Sequence, residues 1–363
     1  MPRTSPASGL PVAVDAMGGD RAPDEIVAGA CQAYAEHGLP VLLIGDPDAV
    51  DTAKLPDGVS FQPASEIIEM DEDPGRAVRV KRDSSLVRCA EAVHEGRACA
   101  MVSAGNTGAA MASALLRMGR LKGVQRPAIA TVIPVPGSTP TVLLDSGANV
   151  DCTPQMLVQF AQMGQALATE RFGIAEPRVG LLSIGEEAAK GNALVKEAHS
   201  LLASGAGGAE VRFIGNVEGR DVMSDRVDVV VTDGFTGNVV LKTLEGAVKA
   251  VVNGVLAALT SSDEVKVAAK TVLPALSPLA GELDPDTYGG AVLLGVDGVC
   301  VISHGSSGAR AIVNAIKVAS HAVQDTLVER VEKAIAAGEA PPQPTSSQAT
   351  SSQATSSQAS RGW

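Results

Sequence analysis

At 363 residues the chain can bury one large α/β core or two smaller ones. Its 41 Asp and Glu against 29 Lys and Arg give a formal net charge of −12, which argues against a nucleic-acid partner and against a purely electrostatic membrane anchor. Aromatic residues make up only 2% while glycines number 38, a composition of tight turns and close helix–strand packing rather than of an aromatic binding module.

Residues 1–10 carry Ser and Pro but no apolar run, so they read as a disordered lead and not as a signal peptide. From Val12 to about Gly338, β-branched apolar runs alternate with helix-period stretches, the pattern of a mostly parallel sheet covered by helices. Strands are predicted over 11–15, 40–45, 99–103, 128–133, 141–145, 178–183, 211–215, 228–232 and 299–303. Helices are predicted over 24–37, 84–96, 107–118, 153–173, 190–204, 308–320 and 321–337. Residues 11–338 form one catalytic domain in this reading, and a second is not compelled.

Two stretches depart from the alternation. Residues 239–282 read as a long helical region broken by Thr260-Ser-Ser-Asp263 and by Pro274 and Pro278, a hairpin standing off the sheet. Val265, Ala268, Ala269, Val272, Leu273, Leu276 and Leu279 are apolar at helical spacing, so they pack on the core or on a dimer mate, or form a membrane-touching tip. Residues 339–363 are Pro-rich and then carry Thr-Ser-Ser-Gln-Ala three times; so short a polar repeat buries no core and reads as a disordered tail. No apolar run reaches the roughly 18 residues of a membrane span. The five cysteines (31, 89, 99, 152 and 300) lack CxxC spacing and read as reduced thiols of a cytoplasmic protein.

The ends of the predicted strands carry the polar residues. Asp15 precedes Gly18, Gly19 and Asp20; Ser103 precedes Gly105, Asn106, Thr107 and Gly108; Asp145 precedes Ser146, Gly147 and Asn149. Ser183 precedes Gly185 and Glu186, and Thr232 precedes Asp233, Gly234, Thr236, Gly237 and Asn238. Such turns can line one crevice with backbone N–H groups suited to a small anion. Lys190, with Gly185, Gly191 and Asn192 around it, is placed to meet that anion, or is a solvated surface lysine. Asn106, Asn149, Asn192 and Asn238 sit in Gly-containing turns and read as carboxamides facing the crevice, whereas Asp15, Asp145 and Asp233 read mainly as turn holders. Of five histidines only His304 lies in a Gly/Ser turn after an apolar run. Basic residues collect at Arg79, Lys81 and Arg82 and at Arg117, Arg120, Lys122 and Arg126, as landing sites for an acidic partner or as solvated helix faces.

Other chemistries leave no trace in the pattern. The chain has no GxGxxG after a strand, no Walker A loop, no HExxH and no GxSxG elbow. Metal catalysis is not expected.

Taken together, these turns resemble the phosphate acyltransferase family of bacterial phospholipid synthesis, the PlsX proteins. The resemblance covers about residues 11–335 and rests on nine motifs in family order. They are Asp15-Ala-Met-Gly-Gly-Asp20, Lys81-Arg-Asp-Ser-Ser85, Ser103-Ala-Gly-Asn-Thr-Gly108, Asp145-Ser-Gly-Ala-Asn149, Lys190-Gly-Asn192, Gly215-Asn-Val-Glu-Gly219, Thr232-Asp-Gly-Phe-Thr-Gly-Asn238, Tyr288-Gly-Gly-Ala291 and Ser303-His-Gly-Ser-Ser307.

That resemblance implies an open three-layer α/β/α sandwich related to phosphotransacetylases and isopropylmalate dehydrogenases. It implies a homodimer with no metal or organic cofactor, cytoplasmic or peripheral at the inner face of the plasma membrane. The reaction it implies moves a long-chain acyl group from acyl-acyl carrier protein to inorganic phosphate, and a membrane acyltransferase then uses the acyl phosphate. In this reading Lys190 holds phosphate, Asn238 donates to the oxyanion, and His304 orients phosphate, accepts its proton or supports its turn. Asp15, Gly18, Gly19, Lys81, Ser103, Asn106, Thr107, Asp145, Ser146, Asn149, Asn192, Asp233 and Thr236 complete the expected substrate site. The competing readings are a phosphotransacetylase using a small acyl-CoA, a decarboxylating dehydrogenase of related fold, and a non-catalytic membrane scaffold.

Overall fold

The computed structural model describes residues 9–205 and 211–339, so the expected lead and tail lie almost wholly outside the described residues. The first half runs β1 (Val12–Asp15), α1 (Asp24–His37), β2 (Val41–Gly45), β3 (Val59–Pro63), α2 (Pro74–Val80), α3 (Ser85–His94), β4 (Ala100–Ser103), α4 (Thr107–Arg117), β5 (Ala128–Ile133) and β6 (Thr141–Leu144). The second runs α5 (Pro154–Phe172), β7 (Arg178–Leu182), α6 (Ala193–Ala203), β8 (Arg212–Val217), β9 (Val229–Val231), α7 (Gly234–Leu259), α8 (Asp263–Leu283), β10 (Ala291–Leu294), β11 (Val299–Ile302), α9 (Ala309–Gln324) and α10 (Leu327–Glu339).

Side-chain caps start most of these helices. Asp73, Ser84, Asn106, Thr153, Asn192, Asp233 and Ser262 each accept the backbone N–H three residues on, filling one of the donors a helix start leaves open. The same caps correct two expectations. The Asp233 cap starts α7 at Gly234, so Asn238 sits inside a helix rather than in a turn. Pro274 and Pro278 do not break α8, which runs through both. The carbonyls those prolines leave free belong to Lys270 and Pro274, both exposed, and water can bond them.

Three elements escaped the sequence reading. β3 is a short edge strand that ends in Pro63. β10 is four residues between Gly290 and Gly295, and α2 is seven residues, too short for a helical period to register. The last two helices divide at Asp325-Thr326, where Thr326 has φ +57°.

All eleven strands join one sheet in the order β3-β2-β1-β4-β11-β10-β5-β6-β9-β7-β8. The first flank, β3 to β11, is parallel, and so is the second, β6 to β8. Between them β11–β10, β10–β5 and β5–β6 are antiparallel. Three reversals leave the two flanks pointing in opposite directions, so their carboxyl ends lie at opposite ends of the sheet.

Alternating strand residues build the layers. Val14, Leu43, Val142 and Leu144 face a core shared with α1, α5, α6, α9 and α10. On the other face Ala13, Ile44 and Met101 meet α2, α3 and α4, while Leu143, Leu182 and Val230 meet α7. This is the expected α/β/α sandwich with a protruding hairpin, α7–α8. Each fully buried Leu contributes about 1.5–3 kcal/mol. Among the described residues no helix is long and apolar enough to cross a membrane.

Candidate active site

On the first flank the polar turns close upon themselves. Asp15 is buried, and its carboxylate accepts from Ser103 Oγ at 2.7 Å and from the Met17 amide at 3.2 Å. Burial pushes this carboxyl above its usual range, opposed by hydrogen bonds from Ser85, Ser103 and the Met17 and Gly18 amides. Gly18 leaves no room for a side chain, since a Cβ there would lie 2.5 Å from Asp15 Oδ2 and 2.8 Å from the Gly105 nitrogen. Gly19, at φ +107°, passes against the Gly305 carbonyl of the turn after β11.

The carboxamide of Asn106 does not face a crevice. Its Nδ2 donates to the carbonyls of Glu69, Met70 and Glu72, and its Oδ1 accepts from the Ala109 amide at 3.0 Å. Thr107 is the exposed first residue of α4. Lys81 donates to the Ile67 carbonyl at 2.6 Å and pairs with Glu72, pinning the loop before α2.

The second flank repeats this economy around Asp145. Its carboxylate accepts from the amides of Ile129, Gly147, Ala148 and Asn149 and from Asn149 Nδ2, at 2.7–3.2 Å. Burial again pushes the carboxyl upward against these bonds. Ser146 Oγ donates to the Ile129 carbonyl and meets Thr131 Oγ1 at 2.6 Å; Asn149 Nδ2 also reaches the Pro127 carbonyl. Asp233 accepts from both the amide and the hydroxyl of Thr236 at 2.8 Å. A Cβ at Gly237 would stand 1.9 Å from the Asp145 carbonyl oxygen, so α7 rests directly on the Asp145 turn.

On this flank two of the expected site residues stay open. Asn238 is exposed with its carboxamide carbon 3.7 Å from where a Cβ at Gly147 would lie, and it makes no hydrogen bond among the described residues. The Lys190 ammonium is likewise exposed, with no ion pair among the described residues. Its loop is fixed from below, where buried Asn216 donates to the Glu187 carbonyl at 2.9 Å and faces His199 Nδ1 at 3.0 Å. Ser183 Oγ is buried without a hydrogen-bond partner among the described residues, 3.1 Å from the Cβ position at Gly191. Asn192 caps α6. Because β7 pairs with β9, the Lys190 loop and the start of α7 leave the same end of the sheet.

The polar turns therefore do not line one crevice from one end of the sheet; helix α7 joins the two ends. Lys242 lies one turn beyond Asn238, about 6 Å along the axis. Its Nζ is 3.5 Å from Nε2 of His304, in the turn after β11. Sequence reading missed Lys242, because its i+4 relation to Asn238 exists only once the helix begins at Gly234.

Among the described residues no activated nucleophile of the familiar kinds is assembled. His304 Nδ1 contacts Ser306 Oγ at 2.8 Å, but the far side of the ring faces the Lys242 ammonium and not the carboxylate of an acid–base relay. Cys152, beside the Asn149 carbonyl, is pushed up to about 11 by burial, with the Asp145, Asp233 and Asp151 carboxylates adding to the rise. Burial pushes Cys300 up to about 12. Neither is a thiolate at neutral pH.

The family described as fatty acid synthesis protein matches residues 10–330. The chain belongs to this family. A phosphate acyltransferase of Heliobacterium modesticaldum is 48% identical over 331 residues, covering 89% of this chain and 97% of that protein. One from Nostoc punctiforme is 47% identical over 326 residues, covering 88% and 95%. Among solved structures, a phosphotransacetylase from Streptococcus pyogenes superposes with a TM-score of 0.58 at 17% identity, covering 88% of this chain and 96% of that one. The EutD phosphotransacetylase of Staphylococcus aureus gives 0.55 at 15%, with 88% and 96% covered. At such identities the likeness establishes the sandwich that this family member shares with them, and the fold alone.

Proposed function

We propose that this family member transfers a long-chain acyl group from the thioester of an acyl carrier protein to inorganic phosphate, giving an acyl phosphate for phospholipid synthesis. Relatives named phosphate acyltransferase, matched over nearly their whole length, make the chain an acyltransferase. The supporting observation is that the Lys190 loop and the start of α7 leave the same end of the sheet with an exposed ammonium and an exposed carboxamide, while no activated serine or thiolate is found among the described residues.

Phosphate needs no protein nucleophile. One of its oxygens attacks the thioester carbonyl carbon, a C–O bond forms, the C–S bond breaks, and the departing thiolate takes up a proton. Lys190, the Ser183 hydroxyl and the amides around Gly191 hold phosphate in this reading, and Asn238 Nδ2 donates to the oxyanion. Loss of one such donor costs about 3 kcal/mol of transition-state stabilisation. Alignment of the two reactants supplies much of the remaining acceleration. Asp15, Gly18, Gly19, Ser103 and Asn106 on one flank, and Asp145, Ser146, Asn149, Asp233 and Thr236 on the other, hold the turns in register.

The carrier protein docks on the exposed arginines of α2 and the turn after it in this reading. Arg76, Arg79 and Arg82 stand at three-residue spacing, exposed and without an ion pair among the described residues. Lys81 and Arg117 are already engaged by Glu72 and Glu91. The exposed Val251, Val255 and Leu256 of α7 and Val267, Val272 and Leu273 of α8 need cover, which a second copy of the chain or a lipid surface supplies. Sedimentation and vesicle flotation separate those two.

The experiment is phosphate-dependent release of free thiol from palmitoyl-acyl carrier protein by the purified protein, with palmitoyl-CoA and acetyl-CoA alongside. Release that needs both phosphate and the carrier protein is expected. Turnover on acetyl-CoA alone would move the assignment to a phosphotransacetylase, a reading the shared fold favours as the rival. No release from any donor would leave a scaffold.

A further inference from the structure

We infer that Lys242 and His304 form a second oxyanion site, one helical turn from Asn238, which receives a phosphoryl group. The turn that holds His304 fixes its tautomer. The Ser306 backbone N–H is a donor that cannot rotate away, and it points at His304 Nδ1 at 3.3 Å. Nδ1 therefore accepts, which leaves the ring proton on Nε2. Nε2 faces Lys242 Nζ at 3.5 Å, the outer limit for a hydrogen bond, and an ammonium only donates. Two N–H donors on different elements thus converge on one space, and only an acceptor placed between them satisfies both.

The Lys242 charge favours an anion as that acceptor. Around the His304 turn the Arg21 Nη1 and the Glu25 Oε2 both stand 3.4 Å from the Cβ position of Gly308, so the turn itself adds no net positive charge. Lys242 is held in place by Glu245 at 2.8 Å, while half of its side chain remains exposed. An incoming phosphoryl oxygen exchanges an exposed i,i+3 pair, worth little in water, for a charge-assisted bond with two donors. The Asp286 carboxylate lies within electrostatic reach of His304, so the surroundings are not uniformly positive.

In the acyl-transfer reading, on which this inference rests for its substrate, that group is either inorganic phosphate or the phosphoryl end of the donor's pantetheine arm. Both present the same oxygens, and kinetics distinguish them. Lys242→Met is expected to raise the KM for inorganic phosphate, or instead the KM for palmitoyl-acyl carrier protein, at least tenfold, with Lys242→Arg recovering most of the loss. A rise in the first names inorganic phosphate and a rise in the second names the donor arm. Glu245→Gln separates anion binding from helix structure. If it reproduces the Lys242→Met defect, the lysine serves only its helix pair and the inference falls.

Titration of the full chain with inorganic phosphate and with phosphopantetheine, without turnover, keeps the two proposals separable. Weaker binding of either probe to Lys242→Met supports the site even where wild-type protein releases no thiol, an outcome that would overturn the acyl-transfer reading alone. Equal affinities of the wild type and Lys242→Met for both probes, or no binding of either to the wild type, overturn the site.

Discussion

The two flanks of the sheet use the same polar vocabulary for different ends. On the first flank Asp15, Ser103 and Asn106 spend their hydrogen bonds on one another and on backbone, fixing three loops at one end. On the second flank Asp145, Asn149 and Asp233 do the same, yet Lys190 and Asn238 are left open above them. A polar residue in a Gly-containing strand-end turn is thus a holder of the turn by default. It becomes a candidate for chemistry only where the neighbouring backbone groups are already satisfied by something else.

The largest test of this contrast removes a holder. Asp145→Ala leaves the buried Ile129 amide and the half-buried Ala148 and Asn149 amides without their acceptor, and each lost partner costs about 1–3 kcal/mol. Denaturant unfolding of this variant is expected to show a loss on the order of 3–6 kcal/mol; a loss below 1 kcal/mol would mean that water replaces the carboxylate. Next comes an open residue. Asn238→Ala is expected to lower kcat by about 10²–10³-fold while leaving the unfolding midpoint unchanged, the reverse of the Asp145 pattern. A variant of Asn238 that loses stability instead would erase the division between the flanks.

Asn106→Ala should behave as a lost cap with extra carbonyl partners, costing about 1–2 kcal/mol of stability. Were kcat to fall a hundredfold with the fold intact, Asn106 would belong with the open residues. The carrier-docking arginines offer a smaller effect. Arg79→Ala with Arg82→Ala should raise the KM for the carrier substrate several-fold at low salt, and added salt should shrink the difference. Salt-independent values would remove α2 from the docking surface.

The smallest effect lies away from both flanks, where α5 meets the α9–α10 junction. Glu170 is pushed up to about 7 by burial and by the Asp325 carboxylate. A carboxyl raised in the folded state binds its proton more tightly there than in the unfolded chain. The stability it contributes is therefore full below the unfolded value of 4.5 and is lost as pH rises through about 7. Glu170→Gln should raise the thermal midpoint by a few degrees at pH 8, with the gain vanishing near pH 4. A gain that is constant across that range would place the effect in packing rather than in ionisation.

Most of the architecture was legible in the sequence because alternating apolar runs and helix periods report burial directly. The strands that escaped were those whose pattern is too short or too edge-like to carry a period, β3 and β10. Of the expected site residues, Lys190 and Asn238 could be named from their glycine-rich surroundings. Their separation from Asn106 and Asn149, which occupy turns of the same composition, could not. A carboxamide in a turn has the same local signature whether it bonds a carbonyl 36 residues away, as Asn106 does with Met70, or nothing.

What the sequence determined by itself was the identity of the layers and of the polar turns, since periodicity and turn chemistry are local properties. Only the tertiary structure decided how the turns are grouped. Three antiparallel pairings at β10 and β5 reverse the sheet between its flanks and send the turns to opposite ends. Helix α7 then brings Lys242 back to His304, 62 residues along the chain. Strand direction and helix placement come from long-range pairing and packing, so no window of sequence contains them.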